Sequence, residues 1–376
     1  MYSTRSKCTR PVSWSTSYLF RDPLGISITA SIIALLNRLV SHTRLPKLTE
    51  IQVPVRKRLS PSQGQIRLAV RISLTSNTKP GQKILVAVSG GADSLALAAA
   101  CEFEAKKLGL KIAAAVIDHS LQKNSDKVAA QTAKTLASLG FEEVVVKKVA
   151  VGKAGGPEAA ARSARYTALE TLRKQTKSNH ILLGHTSSDQ AETVLLGLVR
   201  GSGSKSLSGM SEKSGVLLRP LLGIDRATTE AFCKDSDIKY WLDPQNKDEK
   251  FLRVMIRRHV LPFLENQLGG SIAASLVRTS DQLREDNTYL ESQADKSFKK
   301  YAKVSASGVS FDAKAIEKLP AAILNRVIKK ALDGFGSESS RTHVLAVSDL
   351  VLSWHGQKPL ALPGVRVVRK GKTITF

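Results

Sequence analysis

Beyond residue 81 the chain alternates short unbroken apolar runs with longer stretches rich in Ala and Leu. Residues 84–88, Ile-Leu-Val-Ala-Val, have the pattern of a strand buried on both faces. A Ser-Gly-Gly turn follows, and the spacing after it predicts a helix over 95–108. Strands are predicted over 111–117, 143–149 and 180–184. Helices are predicted over 125–139, closed by Gly140, and over 158–174 and 189–199. Strand and helix alternating at this spacing imply an α/β fold with a doubly wound, mainly parallel sheet. Residues 201–215 are rich in Gly and Ser and predict a mobile loop. Past Gly270 the alternation gives way to a long helical stretch over 272–300, then to apolar β-like runs over 344–352 and 365–376. The organisation expected is an extension over 1–57, disordered or not part of the fold, a catalytic domain over 58–265, and a smaller, mainly helical C-terminal domain over 270–376.

Charge adds a partner to this picture. Lys and Arg number 57 against 32 acidic residues, a formal net charge of +25. Such an excess suits a polyanion, because each cation that meets a phosphate releases a condensed counterion. Aromatic residues are only 5% of the chain, which argues against a platform for stacked single-stranded bases. The three cysteines, Cys8, Cys101 and Cys233, form no CxxC pair, so neither a zinc knuckle nor a disulfide framework is expected. That usage fits a reducing, cytoplasmic compartment. Residues 1–58 carry ten basic and two acidic side chains, a balance that also fits organelle targeting. The apolar run over 24–36 is too short to span a bilayer, so no membrane partner is expected.

The chemistry-bearing residues fall after the predicted strands, where ligands bind in open α/β sheets. Ser89-Gly90-Gly91-Ala92-Asp93-Ser94 joins the first strand to a helix. Its glycines let backbone approach a phosphate, and its amides with the helix N-terminus form an anion nest. Bare phosphate would repel Asp93, so the carboxylate implies a Mg²⁺ ion between it and the phosphates; the alternative is a helix cap. Asp118 and His119 end the second strand, and His185 follows the fourth. Asp189 and Glu192, three residues apart, share a helix face one turn beyond His185. Together they can bind a small cation, orient an amine or hold Mg²⁺, or simply favour a helix N-terminus. Arg162 and Arg165 form an i, i+3 pair able to clamp phosphate oxygens. Arg253, Arg257 and Arg258 suit contact with a nucleic-acid backbone. Gly371-Lys372-Thr373 is no phosphate loop, because Arg366 stands where the first glycine is needed; a terminal basic hairpin is expected.

The Ser-Gly-Gly-Ala-Asp-Ser segment resembles the loop of the PP-loop ATP pyrophosphatases, which split ATP to AMP and pyrophosphate. Within that group the chain most resembles the tRNA(Ile)-lysidine synthetase family. The likeness covers roughly residues 58–264 and rests on separated segments: 116–121, 156–166, 184–193, 219–221, 243–246 and 253–262. Three positions depart from the pattern: Ser188 where an acid is common, Gln122 where a basic residue is common, and Val254 after Arg253 where Asn is often found. The resemblance implies ATP and Mg²⁺ as cofactors, and free L-lysine and tRNA(Ile) with a CAU anticodon as partners. It leaves a homodimer open. The implied reaction adenylates the wobble cytidine at its C2 oxygen, after which a lysine amine displaces AMP. For Asp189 and Glu192 it implies recognition of lysine's ammonium groups. His185, Asp118 and Asp189 all remain candidates for the general base. Two rivals stand beside this reading: a tRNA thiolase of the same loop class, and a nonenzymatic tRNA-binding protein.

Overall fold

The computed structural model describes residues 58–376 apart from 119–123, 151, 153–156, 202, 307, 337 and 338. The expectations for residues 1–57 and for His119 lie outside the described residues.

The first described helix, α1 (Pro61–Asn77), opens with a capping box in which Ser60 and Gln63 satisfy each other's backbone amides. Its residues Ile66, Val70 and Leu74 recur at the spacing of one buried face. Leu68 and Ile72 are exposed on the other side, so apolar positions lie all round the helix and its period is blurred. That explains why the sequence pattern does not announce it. On its outer face Arg71 donates two hydrogen bonds, of 2.8 and 3.0 Å, to Glu104. The carboxylate is fully buried and would otherwise stand uncompensated.

From here strands and helices follow the predicted order. They run β1 (Lys83–Val88), α2 (Ala92–Lys107), β2 (Lys111–Asp118), α3 (Ser125–Ser138), β3 (Val144–Lys148), α4 (Pro157–Gln175), β4 (His180–Leu183) and α5 (Ser187–Val199). Where a mobile loop is expected, the chain instead makes a helical turn, α6 (Ser204–Leu207), and a hairpin of β5 (Lys213–Ser214) and β6 (Leu217–Leu218). The turn is held in place by Gln190 and Asn287 through backbone and hydroxyl hydrogen bonds, which composition does not reveal. After it comes α7 (Arg226–Asp235).

The six strands lie in the order β3-β2-β1-β4-β6-β5, parallel except for β5. Side chains alternate along each strand, and in the central strands β1, β2 and β4 both sets are largely buried. Ile84, Val86 and Val88 face the side covered by α1, α2, α3 and α7, whereas Leu85 and Ala87 face Leu169 and Leu172 of α4. The strand order reverses between β1 and β4, a switch point where a crevice opens at the carboxyl ends.

The chain continues through α8 (Leu252–Met255), a π-helical turn (Ile256–Val260) and α9 (Leu261–Leu268). Gly269 and Gly270, both with positive φ, break the helix before α10 (Ile272–Tyr301). The first turns of α10 pack against Ala191 and Leu196 of α5 together with Ile256 and Leu261. Its far end enters a separate core with the short α11 (Ala313–Ile316), α12 (Ala321–Asp333) and α13 (Arg341–Leu352). That core is closed by an antiparallel sheet. Its order is β7 (Lys303–Ser305), β8 (Gly308–Asp312), β11 (Thr373–Thr375), β10 (Val365–Lys370) and β9 (Leu360–Leu362). The expected basic hairpin is present, with Arg369 paired to Ile374. The β-like run over 344–352 is corrected: it is helical. A capping box between Ser340 and His343 starts the helix, and Val344, Val347 and Val351 bury one face. Short aliphatic runs fit either period, and here the cap decides.

Leu324 on α12 is fully buried in this second core. Leu324→Ala should cost about 2–5 kcal/mol of unfolding free energy in urea titrations, the range for a cavity that its walls cannot refill.

Candidate functional site

The cleft begins at the loop after β1. Gly90 has φ +88°, and a side chain there would lie 2.6 Å from the hydroxyl of Thr132 on α3. Both facts require glycine. Ser94 Oγ accepts from the Ser89 amide at 3.1 Å, lies 3.2 Å from Ser89 Oγ and donates to Gly91 O at 2.9 Å, which fixes the loop against the helix start. Gly91 is the cap residue of α2 and offers no side-chain acceptor, so the first-turn amides are left for a ligand. The Trp241 amide donates to Gly90 O at 2.9 Å and ties the loop to the far wall. At the end of β4, a side chain on Gly184 would come 3.0 Å from the Asp93 carbonyl. Glycine therefore lets β4 deliver His185 beside the loop helix.

Ser89, Gly91, Ala92, Asp93 and Ser94 all line one cleft of about 660 Å³, and so do Asp118, Arg162, Arg165, His185, Asp189, Glu192, Arg253 and Arg257. Gly90 stands behind them, facing Thr132. Arg258, one residue on, points outward to Glu249 at 3.3 Å. Arg253 and Arg257, four apart and so on one helical face, point inward where the chain passes from α8 into the π turn.

Inside the cleft, acids and arginines alternate. Asp93 accepts from Thr229 Oγ1 and, at 3.3 Å, from Arg226 Nε. Another nitrogen of Arg226 reaches Asp189 Oδ1 at 3.3 Å. Arg257 approaches the same oxygen at 3.5 Å and donates to Glu192 Oε1 at 2.5 Å. Arg253 stands 3.8 Å from Glu192 Oε2. Asp189 also caps its own helix, since Oδ2 accepts from the Thr186 amide at 2.9 Å. Glu192 is only 1% exposed.

This setting moves the ionisations. Burial raises Asp93, against Arg226 and Thr229, which pull it down. Glu192 is raised likewise by burial, with Arg257 opposing. Burial pushes Asp189 the same way, but Arg226, the Thr186 amide, His185 and Arg257 together hold it below the usual range. The His185 imidazole is driven well down, first by burial and then by Arg165, Arg219 and Arg162, so it is neutral at neutral pH. Arg165 is disfavoured by desolvation yet keeps its charge. Arg162 lies over the Tyr166 ring at 5.0 Å.

Arg226, Thr229, Tyr240, Trp241 and Leu242 are cleft residues, or partners of cleft residues, that the sequence reading passes over. Arg226 sits at the start of a helix, where a basic residue carries no motif signal. Leu242, 73% exposed beside the cleft, is an aliphatic residue with no chemistry of its own to single it out, although Asp243 follows it. No cluster of three metal-binding side chains exists among the described residues, and no described helix is long and apolar enough to cross a membrane. A Mg²⁺ ion held by one carboxylate and by substrate phosphates needs no such cluster, and Asp93 at the head of α2 fits that mode.

Comparison with known proteins follows the same residues. A family model described as PP-loop domain matches residues 65–264. The tRNA(Ile)-lysidine synthase of Leifsonia xyli subsp. xyli (strain CTCB07) is 49% identical over 299 residues, 79% of this chain and 90% of the relative. That of Thermobifida fusca (strain YX) is 42% identical over 313 residues, 82% of this chain and 95% of the relative. Among solved structures, the U34-tRNA thiolase NcsA from Methanococcus maripaludis, with its [4Fe-4S] cluster, aligns with a TM-score of 0.50 at 19% identity. The alignment spans 60% of this chain and 80% of that one. At that identity the likeness concerns the fold alone.

Gly90→Ala should lower stability by about 1–2 kcal/mol for the left-handed backbone alone. Adding Thr132→Ala should recover only the part due to the clash. Urea unfolding of the two variants, beside nucleotide titration, separates these contributions; full recovery in the double variant would show that backbone geometry is not what requires the glycine.

Proposed function

Because the chain belongs to the tRNA(Ile)-lysidine synthase family, and so to the PP-loop enzymes that use ATP, we propose that this cleft joins free L-lysine to C2 of the wobble cytidine of tRNA(Ile) carrying a CAU anticodon. The observation that carries the reading is the single cleft in which the phosphate loop and the acids Asp189 and Glu192 are bridged by shared arginines.

In the first step the C2 oxygen of the cytidine attacks the α-phosphorus of ATP and pyrophosphate leaves. Free amides at the start of α2, with Ser89 and Ser94, hold phosphate oxygens. Arg162 and Arg165 neutralise charge as it shifts to the leaving group. Asp93, with phosphate oxygens, would hold Mg²⁺, which supplies further neutralisation when bound. In the second step a lysine amine attacks C2, AMP departs with the former C2 oxygen, and a base takes the amine proton. Three groups of the cleft can accept that proton, His185, Asp118 and Asp189; the burial that keeps the imidazole neutral also weakens it as a base.

Lysine is a zwitterion with a second ammonium group, and the cleft offers both signs. Asp189 and Glu192 would take ammonium groups and Arg253 and Arg257 the carboxylate. A thiolase reading has less support in the residues. Of the three cysteines, Cys101 and Cys233 are fully buried, so neither presents a thiolate to a substrate or cluster. The C-terminal layer beyond residue 270 is proposed to hold tRNA.

Incubation with labelled lysine, ATP and bulk tRNA should transfer label to nucleic acid and release AMP. ATP consumption without label in tRNA would contradict the reading. Glu192→Gln keeps size and removes one charge. A buried charge-assisted contact is worth roughly 1.5–3 kcal/mol, so the Michaelis constant for lysine should rise about ten- to a hundredfold. Lysine-independent pyrophosphate release should change much less. An unchanged lysine constant would mean that the acids serve only the arginines.

A further inference from the structure

Gln190 lies between the two acids in sequence, is 1% exposed and points away from the cleft. Its amide nitrogen donates to Met210 O at 2.9 Å, and its carbonyl oxygen accepts from the Met210 amide at 2.7 Å. Both ends of the side chain are thus spent on one backbone unit. Gly209 makes room for this clamp, since a side chain there would fall 2.7 Å from Gln190 Oε1. The neighbouring residue, Ser208, continues the line. Its hydroxyl accepts from Asn287 Nδ2 at 2.8 Å, and Ser204 Oγ donates to Asn287 Oδ1 at 3.0 Å. Asn287, 7% exposed on α10, also accepts from Arg326 Nη2 on α12 at 2.7 Å. Arg326 is anchored in turn beside Glu291, at 3.4 Å.

The hydrogen bonds, joined by the short backbone stretch from Ser208 to Met210, therefore connect α12, in the C-terminal core, through α10 to the helix carrying Asp189 and Glu192. A buried polar line of this kind is costly unless every member is satisfied. Apolar contacts between α10 and α5 already hold the two helices together. What the polar line adds is register, because hydrogen bonds fix rotation and slide where aliphatic contacts tolerate both.

We propose that Asn287 is a positioning residue: with Gln190 it sets the register of α5, so that lysine recognition in the cleft depends on a contact made outside it. The inference rests on the reading of Asp189 and Glu192 as the lysine-binding acids. A small rotation of α5 moves both carboxylates off their ligand but leaves the loop after β1 in place. Misplacement of about 1 Å at a reacting group can cost on the order of a hundredfold.

The test uses the full chain with ATP, tRNA and lysine. Asn287→Ala and Gln190→Ala should each raise the Michaelis constant for lysine by roughly tenfold while that for ATP stays within about twofold, and the double variant should show less than the product of the two effects. Arg326→Met, farther from the cleft, gives a milder version that keeps the test open if Asn287→Ala does not fold. An equal rise for ATP and lysine would mean general loosening and would overturn the proposal, as would multiplicative effects in the double variant. Glu192→Gln is measured alongside. If it too leaves the lysine constant unchanged, the lysine reading itself fails; if it alone raises that constant, only the role of Asn287 and Gln190 falls.

Discussion

Three carboxylates share one cleft because two arginines stand between them and a third closes the line. Asp93, Arg226, Asp189, Arg257, Glu192 and Arg253 form a line of alternating charge from the phosphate loop to the base of α5. None of these acids is well solvated, and burying one without a counterion costs several kcal/mol. The arrangement removes that cost before any ligand arrives. It also makes each cation a contact that a ligand can exchange: phosphate oxygens can draw arginines from the acids, and ammonium groups can replace them. The cleft is thereby suited to a nucleotide and a zwitterionic amino acid side by side.

The rest of the molecule serves to hold that line. The parallel sheet reverses order between β1 and β4, and the two strand ends carry the loop and His185 to the same point. Close approaches at Gly90 and Gly184 allow this, since any side chain at either would collide with Thr132 or with the backbone at Asp93. Helix α7 supplies Arg226 and Thr229 from the opposite wall. The π turn brings in Arg257 while sending Arg258 outward. Farther off, α10 spans the first and second cores, so the C-terminal layer is packed against the element that bears two of the acids.

Much of this was legible in the chain itself. Strands buried on both faces leave unbroken apolar runs, and the loop after β1 is marked by its glycines and by an acid placed where anions bind. The residues at the strand ends could be collected into one site from topology alone. Other features left no local trace. Arg226 pairs with Asp93 across 133 positions, which no periodicity reports. Helix α1 carries apolar residues on two faces, so its period is masked. The run over 344–352 satisfies a strand pattern as well as a helical one, and the Ser340 cap decides between them. Arg257 reads in sequence as one of three cations suited to a nucleic-acid backbone, because its acid partners lie 65 and 68 positions away. The Gly and Ser content of 201–215 suggested mobility, whereas hydrogen bonds from Gln190 and Asn287 settle that segment against α5 and α10.

The account stands on the claim that acids and arginines in the cleft act as one electrostatic unit. A double-mutant cycle between Asp93 and Arg226, read as unfolding free energy in urea without ligands, addresses it directly. Arg226→Met alone should be strongly destabilising, because it leaves Asp93 and Asp189 facing each other with one cation fewer. Adding Asp93→Asn should recover a good part of the loss, giving an interaction energy of about 1.5–3 kcal/mol. Strictly additive effects of the two substitutions would contradict the claim.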